Sequence, residues 1–83
     1  MGVYWRFYNE TLGVWNEKDI PGVGLSWVAK LTDCYDQDEI IQLVETVIHI
    51  NNWSTDDEIH IVPDDYSYTQ IYMKSGHFID KLQ

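Results

Sequence analysis

One thiol, three imidazoles and fourteen carboxylates are the side chains in this 83-residue sequence best suited to chemistry. Cys34 is the single thiol. Nucleophilic use requires a thiolate, which cationic neighbours favour; Asp33 and Asp36 beside it are anionic, so Cys34 reads as an ordinary semi-buried thiol. His49, His60 and His77 form no metal-ligand spacing with one another or with Cys34. They read as solvated or capping side chains. The acids from Asp33 to Glu45 lack the alternating ligands and central glycine of a calcium loop. Gly22-Val23-Gly24 lacks the lysine and following helix of a phosphate-binding loop. No paired groups suggest a reaction, so a non-enzymatic role is expected, with no cofactor and no metal.

The distribution of charge is more informative than any single group. Fourteen acidic side chains against five basic ones give a formal charge of −9. No Lys or Arg lies between Lys30 and Lys74, yet that stretch holds Asp33, Asp36, Asp38, Glu39, Glu45, Asp56, Asp57, Glu58, Asp64 and Asp65. Carboxylates within about 8 Å of one another, the Debye length at physiological salt, reinforce each other's field and steer a cationic partner. Direct nucleic-acid binding is disfavoured, because phosphates are repelled and no basic stripe releases counterions. An anionic membrane is disfavoured on the same ground. All ten acids, the consecutive Asp56, Asp57 and Glu58 among them, are therefore expected to face solvent and a basic protein partner. Trp53, among the acids, and Tyr66, just beyond Asp65, are added as aromatic anchors of the kind that dominate interface energetics, with a core position the equal alternative for Trp53.

The elements that must position these groups follow from periodicity. Val3 to Tyr8 alternates Val3, Trp5 and Phe7 against Tyr4, Arg6 and Tyr8, the pattern of a strand with two aromatic-rich faces. A turn at 9–13 and a return through Val14-Trp15 predict a hairpin. Residues 16–24, with Pro21 and two glycines, read as a loop. Leu25 to Leu31 reads as a third strand whose apolar face carries Leu25, Trp27, Ala29 and Leu31. Trp5, Trp15 and Trp27 are all expected in the core.

From Gln37 to Asn51 the spacing predicts a helix. Asp36 stands as N-cap, with Glu39 three residues on in capping-box register. Ile40, Ile41, Leu43, Val44, Val47, Ile48 and Ile50 share one half of the wheel, opposite Gln42, Glu45, Thr46 and His49. Asn51-Asn52 is the expected stop. Glu58 to Val62, a turn at Pro63-Asp64-Asp65 and a strand from Tyr66 to Lys74 predict a second hairpin, with 77–83 a short tail. The expected fold is α+β: one amphipathic helix packed on a four- to five-stranded, mainly antiparallel sheet, in the order β-β-β-α-β-β within a single domain, 1–83.

A lone cysteine excludes an intramolecular disulfide. Met1 to Arg6 lacks the apolar segment of a secretory signal, and no run approaches the roughly 20 apolar residues of a membrane span. A cytoplasmic location is expected, which makes the glycosylation patterns at Asn9 and Asn52 chance matches.

In size and acidity, though not through a motif, the chain resembles small phage-encoded inhibitors such as anti-CRISPR proteins and uracil-DNA glycosylase inhibitors. That resemblance implies a stoichiometric inhibitor that masks the basic nucleic-acid-binding surface of an enzyme or effector complex by nucleic-acid mimicry. Two alternatives stand beside it: an immunity protein or antitoxin that neutralises a basic nuclease toxin, and a structural or adaptor domain whose acidity serves solubility alone.

Overall fold

The computed structural model describes residues 3–64, 70–74 and, for their backbone only, 77–80. Strand β1 spans Tyr4–Asn9 and strand β2 spans Val14–Trp15, paired antiparallel with Tyr8 opposite Trp15 and Asn9 opposite Val14. The alternation of β1 buries Trp5, Phe7 and Asn9 on one face. In the turn, the Asn9 carbonyl accepts from the Gly13 N–H at 2.8 Å and the Asn9 Oδ1 from the Leu12 N–H at 2.9 Å. Gly13 closes the turn at φ 71°, a conformation that costs glycine no Cβ clash.

Strands β3 (Trp27–Ala29), β4 (Glu58–Pro63), β5 (Ile71–Lys74) and β6 (His77–Asp80) complete a six-stranded sheet in the order β2-β1-β4-β5-β6, with β3 also on β1. Every pairing among the described residues is antiparallel. Strands β3 and β2 take different halves of β1: Tyr4, Trp5 and Arg6 pair with β3, Tyr8 and Asn9 with β2. The sheet is therefore five strands wide, antiparallel and accompanied by one main helix, an α+β fold.

Helix α1 (Leu31–Cys34) is a single turn that follows Lys30 in the left-handed region at φ 55°. Helix α2 (Gln37–Ile50) is the main helix. Its capping box is complete: the Glu39 N–H donates to Asp36 Oδ1 at 2.8 Å and the Asp36 N–H to Glu39 Oε1 at 2.9 Å. Ile40, Val44 and Val47 are buried, and Ile41, Leu43, Ile48 and Ile50 pack around them, so the predicted apolar half meets the sheet. At the other end Asn52 takes φ 57°, and the Lys18 ammonium donates to the Ile50 carbonyl at 3.0 Å, satisfying an open carbonyl where the helix dipole favours a cation. The core is one cluster joining Trp5, Phe7, Val28, Ile59, Ile61, Ile71 and Met73 of the sheet to Ile20, Leu31 and the buried face of α2.

Three expectations about the elements are corrected. The third strand is shorter than Leu25–Leu31, and its core face is the opposite one. The registers Trp5↔Val28 and Arg6↔Trp27 turn Val28 inward and Trp27 outward, leaving Leu25 and Ala29 exposed. Leu31 is buried, but from α1, because the left-handed Lys30 ends the strand. The segment 77–80 is a strand on β5, with Met73 opposite Phe78, where a tail was expected. The strand before it is described from Ile71 onward; the expected start at Tyr66 lies outside the described residues.

Asp36→Ala removes one half of the capping box and should lower stability by about 1 kcal/mol, read from the urea midpoint at unchanged slope.

Candidate functional site

Seven of the ten acids expected at the surface are exposed: Asp33, Asp36, Asp38, Glu39, Glu45, Asp56 and Asp64. Asp65 and Tyr66 lie outside the described residues. Asp33 belongs to α1; Asp36, Asp38 and Glu39 gather at the start of α2, where the dipole and the free N–H groups favour anions. Seven residues after Asp38 the helix returns to the same side, two turns and about 10 Å along, and presents Glu45. Asp64 stands apart at the end of β4, where its Oδ1 accepts from the Tyr4 N–H at 3.2 Å. Among the described residues no Lys or Arg forms an ion pair with any of these acids. Arg6 instead lies 4.4 Å over the Trp15 ring, and Lys18 is spent on the end of α2.

Glu45 and Asp56 share a hollow of about 330 Å³ between α2 and the strands β4 and β5. Its apolar wall is Ile41, Val44, Ile48, Ile59 and Met73, and Lys74 lines it beside the two acids. A second hollow, also about 330 Å³, continues past Glu45, Ile48 and Thr55 to His49, Asn52 and Trp53. Trp53 is half-buried: it packs against the core and at the same time forms part of this wall. The result is a groove with aliphatic walls and a carboxylate rim. Such a groove suits a lysine or arginine, whose methylene stem buries along apolar surface while its head stays among charges.

Asp57 does not belong to that rim. Only 8% exposed, it accepts from Asn9 Nδ2 at 2.9 Å and from the Ser54 N–H at 3.1 Å through Oδ2. Asn9 is itself fully buried, so the glycosylation pattern there is a structural asparagine. Around this pair the Glu58 N–H donates to Thr11 Oγ1 and the Glu10 N–H to the Glu58 carbonyl, both at 2.9 Å. The node ties the β1–β2 turn to the loop after α2. The expectation that Asp57 is a surface contact is thus corrected: its Oδ2 accepts from both loops at once, and that draws the carboxylate inward.

Glu58 faces neither the groove nor the core. On the side of the sheet away from α2 it bonds His60 Nε2. That hydrogen bond, helped by the charges of His60 and Lys74 and opposed by partial desolvation, holds the Glu58 carboxyl below the usual range. Around it the open face carries rings on neighbouring strands. His60 meets Tyr72 edge-on at 3.9 Å; Tyr8 lies 4.7 Å from Trp15; Tyr4 lies 4.2 Å from Trp27. Trp15 and Tyr4 are 37% and 44% exposed. The expectation of core positions for Trp15 and Trp27 therefore fails, while Trp5 is buried as expected. The alternation of Tyr4, Arg6 and Tyr8 was the available signal for this surface. Its extent depended on cross-strand register. Cys34, expected to be semi-buried, is exposed.

Among the described residues no three His, Cys, Asp or Glu side chains gather to hold a metal, and no helix is long and apolar enough to cross a membrane. No protein-family model matches the sequence, and neither a curated protein nor a solved structure matches it.

Asp57→Ala leaves the Asn9 amide and the Ser54 N–H without their acceptor and should cost about 1–3 kcal/mol, whereas Asp56→Ala should stay within roughly 0.5 kcal/mol; paired urea titrations separate the two. A lowered folded-state carboxyl stabilises above the ordinary glutamate range, and the benefit is lost as pH falls through the lowered value. In His60→Ala the Glu58 side-chain carbon resonance should accordingly titrate at higher pH than in the native chain.

Proposed function

We propose that this is a small acidic binding protein that acts as a stoichiometric inhibitor, occupying the basic nucleic-acid-binding surface of an enzyme or effector complex in the manner of phage anti-CRISPR or anti-restriction proteins. The observation that carries this reading is the line of exposed carboxylates at the start and along the side of α2, continuing through Glu45 to Asp56, none paired with Lys or Arg among the described residues. Proteins that grip nucleic acid present rows of Lys and Arg, and spaced carboxylates compete for those rows with the phosphates. The aliphatic walls between Glu45 and Asp56 add a place where a basic side chain loses water without losing its counter-charge.

Binding of this kind requires no covalent chemistry from the inhibitor. The capping carboxylates of Asp36 and Glu39 accept from backbone N–H groups, so helix formation itself fixes the orientation of the anionic end. Association is steered by the field and held by desolvated contacts in the groove, which separates the effects of charge and of shape on rate.

Added in equimolar amount to RNA-guided nuclease complexes and to basic nuclease toxin domains, the native chain should block target binding by at least one of them in a mobility-shift assay. The block should weaken markedly between 0.1 and about 0.5 M salt. The double variant Glu45→Lys/Asp56→Lys should keep its fold and lose the block, chiefly through slower association. Binding that is indifferent to salt and to this reversal would support an adaptor whose acids serve solubility.

A further inference from the structure

We propose that the aromatic face of the sheet, opposite α2, is a self-association surface on which a second copy of this chain docks face to face about a two-fold axis. The inference is independent of the inhibitor reading and starts from where the charges lie. A chain of net charge −9 repels its own copy over most approaches. The exposed acids of α1 and α2 belong to the helical side, whereas the strands of the open face carry Arg6, Lys74 opposite Glu58, and Glu58 itself, already hydrogen-bonded to His60, with Glu10 at its edge. This is the side on which like-charged copies meet with least repulsion.

The same face is complementary to itself. Tyr8 stands opposite His60, Arg6 opposite Val62, and Glu58 lies two residues beyond His60 in the other direction along β4. An axis lying across the strands at the level of Tyr8 and His60 carries the Arg6 level of one copy onto the Glu58 level of the other, and the reverse. Arg6 holds its guanidinium carbon 4.4 Å from the Trp15 ring centroid, a contact that uses none of its N–H donors, and a carboxylate that accepts from His60 retains lone pairs for a second donor. Rings at Tyr4, Tyr8, Trp15, Trp27 and Tyr72 supply the aromatic composition that marks interface centres.

Size sets the strength. The face is five strands wide at about 4.8 Å each, its strands run from two residues (β2) to six (β1 and β4) at about 3.3 Å each, and it is at most roughly 20 Å on a side. Counted on both copies that is about 800 Å², the size of a weak, transient contact, so dissociation in the range of tens of micromolar is expected.

Sedimentation equilibrium from about 1 to 200 µM should show a monomer–dimer transition for the native chain. Arg6→Glu and Glu58→Arg should each weaken it tenfold or more, with circular dichroism reporting an unchanged fold. The double variant carrying both exchanges should recover the association, because the two-fold axis restores each pair with reversed sign. Tyr4→Ser, which touches neither charge, should also weaken it. A native chain that stays monomeric at 200 µM overturns the proposal, as does a dimer insensitive to all of these changes. Quenching of tryptophan fluorescence by a short single-stranded oligothymidine, abolished by Trp15→Ala, would overturn it in favour of a base-stacking platform.

Discussion

Five consecutive pairings between β1 and β4, from Trp5↔Pro63 to Asn9↔Ile59, join segments about fifty residues apart, and everything else in the molecule is arranged about that ladder. It aligns Phe7 with Ile61 beneath α2 and Tyr8 with His60 on the opposite side. At its end the buried Asn9–Asp57 hydrogen bond holds the two flanking loops together. A charged acceptor with two donors inside a nearly closed site is worth more than a neutral one and costs more to disturb. Among the described residues every buried side-chain nitrogen and oxygen has a partner, so this polar node interrupts the apolar core without an orphaned group.

The ladder also sorts the chemistry of the molecule into two sides. Period-two alternation means that each residue turned toward α2 places its neighbours on the open face. Trp5, Phe7 and a set of aliphatic side chains take the first role; Tyr4, Tyr8, Trp15, Trp27, Tyr72 and Arg6 take the second. Carboxylates are almost absent from both sheet faces and collect where backbone demands a polar side chain: at the N-termini of α1 and α2 and in the loop before β4. Helix capping and turn formation thus account for where most acids sit, and among the described residues no Lys or Arg forms an ion pair with those exposed at α1, α2 and the groove.

Neighbouring acids consequently have different physical roles. Asp56 is exposed on the groove rim, Asp57 is folded into a loop junction, and Glu58 belongs to the far side of the sheet with His60. Three consecutive carboxylates point three ways because the chain passes there from a loop into a strand. The charge of such a run says little about which member meets a partner.

By itself the sequence determined the elements whose causes are local. The capping box at Asp36 and Glu39, the half-apolar wheel of α2, the Asn52 stop and the Trp5–Phe7 alternation all depend on residues within a few positions of one another. Hence the α+β class and the single main helix were legible before any coordinates. Only the tertiary structure decided the face of β3, the strand at 77–80, the inward turn of Asp57 and the exposure of Trp15. Each of these depends on cross-strand register or on a partner dozens of residues away, and a one-residue change of register exchanges the two faces of a strand without altering its alternation.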